Sequence, residues 1–275
     1  MNFSSDVLSI EKRDAVAILW LDREEKYNAM STALWSGIPK ALDDIFKDET
    51  IGAIVIAGRG KHFCVGIDLA ESMINPQQGA EAASQAAANI KQLELTTQFQ
   101  QAITSVAECP LPVIGVIQGF CLGAGVDLIT ACDIRIASTD AIFSVRETRI
   151  GLVADVGTLQ RLPKIINPGH VAELAYTGKD IDAQRAEKIG LVNDVYDCVE
   201  LALDAGVELA KEIAANSPMA VRGTKYILQQ SENLTTDQSL MVNGMFTMIT
   251  SLQSNDLKEG IQAFAERRPP KFTGS

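Results

Sequence analysis

The sequence predicts an α/β fold followed by a helical C-terminal region, and two patterns support this prediction. Up to Asp180, short runs of β-branched and aliphatic residues alternate with helix-like segments. After Asp180 the pattern becomes largely helical. Because no internal repeat or low-complexity linker separates the two parts, we expect the helical part to pack on the core or on a neighbouring subunit. We place the α/β core at residues 1–200 and the helical region at residues 201–275.

Four short apolar runs predict strands. They cover residues 16–21, 51–57, 113–117 and 134–137. A helix is predicted between the first two, because apolar residues recur there at spacings of four, four and three. Its apolar face consists of Leu34, Ile38, Leu42 and Ile45. Either Ser31 or Thr32 can cap its start.

A second helix is predicted in the alanine- and glutamine-rich segment 77–106, with one side packed and the other facing solvent. Pro110 and Pro112 end this helix. The later helices are predicted at 182–189, 198–215, 217–230, 235–253 and 256–266.

Composition excludes several classes of protein. With 275 residues, of which 47% are hydrophobic, the chain can bury a sizeable core and is not disordered. Its 35 acidic and 24 basic residues give a net charge of −11, which argues against nucleic-acid backbones and anionic lipid surfaces as partners. One small anionic ligand, held by a few local lysines and arginines, remains compatible with this charge.

Cysteine and histidine usage argues against disulfides and histidine-rich metal sites. The five cysteines are scattered, odd in number and without a CxxC pair, so we expect buried free thiols in a reducing compartment. These residues are Cys64, Cys109, Cys121, Cys132 and Cys198. Only two histidines are present, His62 and His170, and we expect no bound metal.

No segment predicts membrane insertion or targeting. The N-terminus lacks an apolar signal core, and the C-terminus lacks a Ser-Lys-Leu peroxisomal signal. The run from Cys109 to Val126 is uncharged, but two prolines and four glycines break it, whereas a spanning helix needs about 20 continuous apolar residues. We therefore expect a soluble protein of the bacterial cytoplasm, with a processed organellar protein as the alternative.

Two glycine-bearing segments directly follow predicted strands. They are Gly60–Leu69 and Gln118–Leu128. A turn between a strand and a helix leaves backbone N–H groups unpaired, and the helix dipole adds attraction for negative charge. Neither segment matches a phosphate-binding motif, and tight packing of strand against helix explains each turn equally well.

Three carboxylates occupy glycine-rich or apolar settings: Asp127, Glu147 and Asp155. Asp155 could instead cap a following helix, and Glu147 could pair with Arg146 or Arg149 at the surface. Asp127 has no partner close in sequence. Taken together, the three predict buried groups with raised pKa values and a role in proton transfer.

These segments resemble the enoyl-CoA hydratase/isomerase (crotonase) superfamily over nearly the whole chain, including the stretches Asp22–Met30 and Glu259–Arg268. The resemblance implies a crotonase-like spiral of ββα turns, with a C-terminal helical region that assembles trimers and often hexamers. It also implies an oxyanion hole for an acyl-CoA thioester, formed by the backbone N–H groups of Ile67 and Ala124. The family usually has glycine at the second position, but alanine also supplies an N–H.

The acidic residues distinguish the reactions within the superfamily. Hydratases carry a glutamate pair at the positions of Asp127 and Glu147, and glycine at the position of Asp155. All three acidic residues here match those of Δ3,5-Δ2,4-dienoyl-CoA isomerases. From the protons that such an isomerisation must move, we hypothesise that Glu147 serves C2 and Asp155 serves C6, and that Asp127 tunes or hydrogen-bonds this pair. We expect the reaction to require no metal, nicotinamide or flavin.

The resemblance further implies contacts to the CoA phosphates, for which the candidates are Lys61, Arg267, Arg268 and Lys271 of this or a neighbouring chain. Surface salt bridges and favourable charges at a helix C-terminus are the alternative explanation for these residues. Two other functions stay open from the sequence. One is an ordinary 2-enoyl-CoA hydratase, and the other is a catalytically silent acyl-CoA-binding or assembly protein.

Overall fold

The structure is a computed structural model that describes residues 3–71 and 84–275. Its strands in these ranges are β1 (Leu8–Arg13), β2 (Val16–Leu21), β3 (Ala53–Gly58), β4 (Val113–Ile117), β5 (Phe120–Leu122), β6 (Ile134–Ser138), β7 (Ile142–Ser144), β8 (Ile181–Asp182) and β9 (Asp194–Tyr196). Six of them form the main sheet in the order β1-β2-β3-β4-β6-β9. All neighbours in this sheet are parallel except the β1–β2 hairpin.

A smaller sheet of three strands, β5-β7-β8, lies at the carboxyl ends of β4 and β6 along the chain. Strand β5 pairs in parallel with β7, and β7 pairs antiparallel with β8. Each of β4 and β6 thus continues after a short turn into a strand of the second sheet. This arrangement places the segments that leave the main sheet next to one another.

The α-helices in the described ranges are α1 (Thr32–Phe46), α2 (Gln85–Glu108), α3 (Ala124–Thr130), α4 (Thr158–Arg161), α5 (Pro168–Thr177), α6 (Ala183–Lys188), α7 (Val199–Ala214), α8 (Pro218–Ser231), α9 (Thr236–Ile249) and α10 (Asn255–Glu266). Helices α1 and α2 cover one face of the main sheet, and α7 covers the other. Successive strand residues therefore pack on opposite sides: Leu19 and Ile56 face α1, whereas Ile18 and Val55 face α7.

The four predicted strands and the first predicted helix are confirmed within a few residues. Ser31 caps α1 by accepting the N–H of Leu34 at 3.3 Å. The second helix extends from Gln85 to Glu108, and the part of its predicted range from 77 to 83 lies outside the described residues. The four predicted strands leave out β1, β5, β7, β8 and β9. The last four have only two or three residues, which are too few to show a period of two.

The predicted boundary at residue 200 falls within α7, and this helix belongs to the packing of the main sheet. Ala202, Val207 and Ala210 are buried against the strand face that carries Ile114 and Val116. Strand β9 also pairs with the main sheet after Asp180, where only helices were expected. The division of the chain into a core and a helical region stays a prediction.

The last three helices depend on fewer buried contacts with the core. Lys225 of α8 is buried, and its Nζ donates to the Leu111 carbonyl at 3.0 Å and to Asp133 at 2.7 Å. Helix α9 buries none of its residues. No helix in residues 3–71 or 84–275 is long and apolar enough to cross a membrane.

The cysteine prediction is confirmed for four of the five thiols, which are buried and free. It is wrong for Cys198, which is exposed. This residue directly precedes α7 in a bend, and it lies outside the apolar side of that helix.

Candidate active site

The two glycine-bearing segments run side by side in parallel. Three backbone hydrogen bonds of 2.9–3.0 Å join them, from Phe63 to Gln118, from Cys64 to Phe120 and from Leu122 to Cys64. Cys64 and Cys121 form an isolated parallel bridge at the centre of this contact. The turn after β3 and the turn after β4 are thereby held in a fixed relation to each other.

Glycine at two positions lets these turns approach closely. Gly66 has a φ of +100° and Gly123 a φ of +49°, which are conformations that favour glycine. A Cβ on Gly66 would lie 3.2 Å from the Leu122 carbonyl oxygen and 3.9 Å from the Ala124 nitrogen. The backbones before Ile67 and before Ala124 are therefore in direct contact.

Within residues 3–71 and 84–275, neither the Ile67 N–H nor the Ala124 N–H donates a hydrogen bond between backbone groups of different elements. Met30 and Ile67 form an isolated parallel bridge. Its two hydrogen bonds use the Gly66 carbonyl and the Asp68 N–H, so the Ile67 N–H takes no part in it. Ala124 is the first residue of α3, where an N–H has no partner within the helix. The two predicted donors thus lie on adjoining turns and are available to a ligand.

Asp127 lies in the first turn of α3 and is 1% exposed. Its Oδ1 accepts two hydrogen bonds from Thr158, one from the N–H at 2.6 Å and one from the hydroxyl at 2.7 Å. Burial raises the pKa of Asp127 to about 6, against the opposing effect of the Thr158 hydrogen bonds. The nearby Asp155 charge raises this pKa further, whereas Arg161 opposes the increase.

Glu147 begins the 3₁₀ turn Glu147–Ile150 that follows β7. Its Oε2 is buried and has no hydrogen-bond partner among the described residues. A Cβ on Gly123 would lie 3.2 Å from Oε1, so this carboxylate lies against the second turn. Burial raises the pKa of Glu147 to about 7, and the charges of Asp127 and Asp155 add to the increase.

Asp155 is exposed in the single chain, so the prediction that it is buried is wrong. It lies in the irregular segment between the 3₁₀ turn and α4, where Leu152 and Val153 are also exposed. The side chain of Gln100, on α2, donates to the Asp155 carbonyl at 2.6 Å and so connects this segment to that helix. The Asp155 charge influences both other carboxylates, and all three therefore belong to one electrostatic cluster.

The structure does not support the capping role considered for Asp155 or the arginine pairing considered for Glu147. Gly157 rather than Asp155 precedes α4 as its capping residue. Arg146 pairs with Asp180, and Arg149 donates to the Thr177 carbonyl. Glu147 therefore stays without either predicted arginine partner.

The candidate phosphate-binding residues fall into two groups. Lys61 is exposed and lies in the first glycine-bearing segment. Arg268 forms ion pairs with Glu259 and Glu266, and the backbone N–H of Lys271 donates to Glu259 at 2.7 Å. Arg267 ends α10 in a left-handed conformation.

Sequence reasoning did not identify Thr158, Gln100 or Arg161 as part of this cluster. Thr158 is 31 positions from Asp127, and no local pattern reports a contact over that separation. Arg161 is partly buried, and its Nη2 donates to the Thr104 hydroxyl at 2.9 Å. In the sequence, Arg161 stands out only by its position about one helical turn after Thr158.

Two cavities in the described residues lie elsewhere, among the C-terminal helices. One of about 400 Å³ is lined by residues of α8 and α10. The other, of about 610 Å³, lies between α8 and the C-terminal segment. Neither cavity is lined by Asp127, Glu147 or Asp155, and these cavities are not the site that we assign.

Comparison with known proteins identifies a family and two kinds of similar protein, dienoyl-CoA isomerases and an enoyl-CoA hydratase. The family model described as Enoyl-CoA hydratase/isomerase matches residues 11–275. The chain is 40% identical over 272 residues to the mitochondrial Δ(3,5)-Δ(2,4)-dienoyl-CoA isomerase of Dictyostelium discoideum, covering 96% of this chain and 90% of the relative. It is 38% identical over 255 residues to the peroxisomal Δ(3,5)-Δ(2,4)-dienoyl-CoA isomerase of Arabidopsis thaliana, covering 92% and 91%.

A crystal structure of an enoyl-CoA hydratase from Bacillus anthracis is similar in fold. Its TM-score is 0.87 at 31% identity, and the match covers 98% of this chain and 100% of the other. The predicted crotonase-like α/β fold class is therefore confirmed.

Replacing Glu147 by glutamine should stabilise the protein at alkaline pH. Below the ordinary pKa of 4.5 this carboxyl is protonated in both the folded and the unfolded chain, so the two proteins differ little through charge. As the pH rises through a folded pKa of about 7, the wild type must bury a charge and loses stability. We expect Glu147→Gln to be more stable than wild type by up to about 3 kcal/mol at alkaline pH.

Urea unfolding at about pH 5 and about pH 8 measures this difference. The matched control is Glu187→Gln at an exposed position of α6, for which we expect no change with pH. An equal stability difference for Glu147→Gln at both pH values would show that its carboxylate is not held in a desolvated site.

Proposed function

We propose the function of this chain from one premise: it belongs to the enoyl-CoA hydratase/isomerase family. Within that family it is a Δ3,5-Δ2,4-dienoyl-CoA isomerase, which converts a 3,5-dienoyl-CoA into the 2,4-dienoyl-CoA. The observation that carries this proposal is the cluster of Asp127, Glu147 and Asp155 beside two adjoining turns with available N–H groups. The relatives named as such isomerases, at 38–40% identity over most of the chain, support it.

The thioester oxygen is stabilised by the N–H groups of Ile67 and Ala124. A thioester α-carbon is a weak acid, and its proton leaves only if the developing enolate oxygen is stabilised. Two preorganised donors in a site shielded from water can each contribute roughly 3–4 kcal/mol to this step. The contact of the two turns at Gly66 and Gly123 supports this role, because it holds both donors in one place.

The carboxylates move one proton out and one proton in. Isomerisation removes a proton from C2, shifts both double bonds through a conjugated dienolate and adds a proton at C6. We assign C2 to Glu147 and C6 to Asp155, with Asp127 tuning the pair. A Glu147 pKa of about 7 suits a group that accepts and releases a proton near neutral pH. Since the reaction only relocates protons and electron pairs, it requires no metal, nicotinamide or flavin.

The main alternative is 2-enoyl-CoA hydration, as named for the Bacillus anthracis structure. Adding water relies on two carboxylates that hold one water molecule, and Asp127 is shorter than the glutamate expected there. Its Oδ1 is also occupied by Thr158, which disfavours a water-holding role. A catalytically silent acyl-CoA-binding protein is supported less, because Glu147 keeps a buried oxygen without a partner, at an energetic cost that packing does not require.

For the CoA phosphates we propose Lys61 first. It is exposed, and it lies in the same segment as the proposed oxyanion donor Ile67. Arg267, Arg268 and Lys271, from this or a neighbouring chain, are weaker candidates, since Arg268 already forms ion pairs with two glutamates.

We also propose assembly into a homotrimer or homohexamer through the C-terminal helices. Helix α9 exposes a row of large apolar side chains that a monomer would leave in water. They are Leu240, Met241, Met245, Met248 and Ile249. For the compartment we propose the cytoplasm of a bacterium, with an organellar matrix as the alternative that the mitochondrial and peroxisomal relatives favour.

The isomerase proposal is tested by supplying a 3,5-dienoyl-CoA and following the absorbance of the conjugated 2,4-diene. We expect turnover by the wild type, and we expect Glu147→Gln and Asp155→Asn each to lower kcat by at least about 100-fold, because each removes one proton-transfer group. The control Asp204→Asn, at an exposed position of α7, should retain full activity. Efficient hydration of a 2-enoyl-CoA that survives Asp155→Gly would instead assign the chain to the hydratases.

Lys61→Met should weaken binding of the CoA part of the substrate. We expect KM to rise about fivefold with kcat unchanged, since an exposed charge pair is worth about 1 kcal/mol. A pantetheine thioester, which lacks the nucleotide phosphates, should bind the variant and the wild type equally. Lys40→Met, at an exposed position of α1, is the control. An equal increase in KM for both thioesters would rule out a phosphate contact.

Assembly is tested by sedimentation equilibrium. The wild type should sediment as a trimer or hexamer, and the double variant Met245→Glu, Ile249→Glu should form smaller species, because charges on a buried apolar face resist association. Asn243→Glu, at an exposed polar position of the same helix, should assemble normally. A monomeric wild type would contradict the proposed assembly.

A further inference from the structure

One side chain outside the three carboxylates controls how Asp127 is held. Thr158 is completely buried, and both its N–H and its hydroxyl donate to the same oxygen of Asp127, at 2.6 and 2.7 Å. The residue before it, Gly157, has no side chain with which to cap α4. The Asp127 carboxylate therefore takes the position of the capping group from a different helix, α3.

This geometry favours the charged form of Asp127. An amide N–H can only donate, so Oδ1 must act as an acceptor towards Thr158 whatever the protonation state. The hydroxyl also donates to that oxygen, and two donors on one carboxylate oxygen stabilise the anion. The Thr158 hydrogen bonds accordingly lower the pKa of Asp127 against the larger effect of burial.

Several other titratable and charged groups face Asp127 from the elements packed around it. Glu147 and Asp155 are the acidic groups, and Arg161 of α4 supplies positive charge. Cys64 and Cys121 face it from the paired turns, and burial raises the pKa of both thiols, so they are neutral at physiological pH. Among the described residues, Thr158 is the only one seen to donate hydrogen bonds to the Asp127 carboxylate.

We propose that Thr158 is a positioning residue that keeps Asp127 anionic while Glu147 exchanges its proton, so that the fixed Asp127 charge favours the protonated form of Glu147. This inference rests on the proposed isomerase function, in which Glu147 takes the C2 proton. The same two hydrogen bonds fix the backbone three residues after Asp155. Thr158 thus acts on both proton-transfer groups without touching substrate.

Removing the hydroxyl should change the pH dependence of the reaction. In Thr158→Val, Asp127 loses one stabilising donor and retains its proton to higher pH. Glu147 then ionises next to a neutral neighbour, and its proton leaves at lower pH. We expect the acidic limb of the kcat/KM profile to shift to lower pH by about 0.5–1 unit. Thr158→Ser keeps a hydroxyl and should keep the wild-type limb.

Asp127→Asn provides the second arm, because it removes the charge and keeps the shape. It should shift the limb in the same direction as Thr158→Val. If Thr158→Val lowers kcat but leaves the limb at the wild-type pH, or if Thr158→Ser shifts it equally, the positioning role is overturned. A wild type without isomerase activity would overturn the proposed function instead, and this outcome is seen before any variant is made.

A titration of the wild type tests the inference without a measurement of activity. Carboxyl ¹³C resonances of Asp127 and Glu147, assigned by substitution, report the order in which the two groups ionise. We expect Asp127 to ionise at lower pH than Glu147. The opposite order would overturn the proposal even in a chain that isomerises no substrate.

Discussion

The parallel pairing of two loop segments, one after β3 and one after β4, is the constraint on which the site depends. Cys64 lies at its centre, with backbone hydrogen bonds to both Phe120 and Leu122. The pairing brings Gly66 against the start of α3, at a tight separation and with a positive φ that would strain a residue with a side chain. The backbone N–H groups of Ile67 and Ala124 then lie on adjoining turns, and no flexible side chain is needed to place them. Such a device loses no conformational entropy when a ligand binds.

Around this fixed backbone the protein keeps carboxylates in settings that penalise their charge. Asp127 is buried and Glu147 is partly buried, and the charge of Asp127 adds to the raised pKa of Glu147. Burial of this kind reduces the stability of the folded state above neutral pH, which is a cost that only function explains. Thr158 limits the cost for Asp127 by supplying two donors, whereas the Glu147 Oε2 has no hydrogen-bond partner among the described residues. The two carboxyl groups are therefore held in different ways, and burial raises the pKa of both.

The C-terminal region has a different energetic basis from the core. Its connection to the core includes the buried Lys225, which donates to Asp133 and to the Leu111 carbonyl. Beyond α8, the apolar side chains of α9 stay exposed in the single chain, and burying them would supply free energy that this chain alone does not obtain. Asp155 is also exposed in the single chain, although the proton transfer that we propose for it is favoured by a site that excludes water.

Sequence patterns were enough to predict the α/β class, the main long elements and the identity of the three acidic residues. Periodicity was sufficient for α1, because its apolar face repeats over four turns, and insufficient for β5, which has only three residues. Burial could be predicted for Asp127 from its apolar neighbours, but the same reasoning failed for Asp155, which lies in an irregular segment with other exposed residues.

Contacts between residues that are distant in the chain could be identified only in the folded structure. Thr158 reaches Asp127 across 31 positions, and the Glu147 carboxylate meets the turn at Gly123. Side-chain periodicity reports which face of an element is buried, whereas it carries no information on which distant element covers that face. The partner that holds each carboxylate, and hence the order in which the carboxylates ionise, is therefore a property of the folded chain.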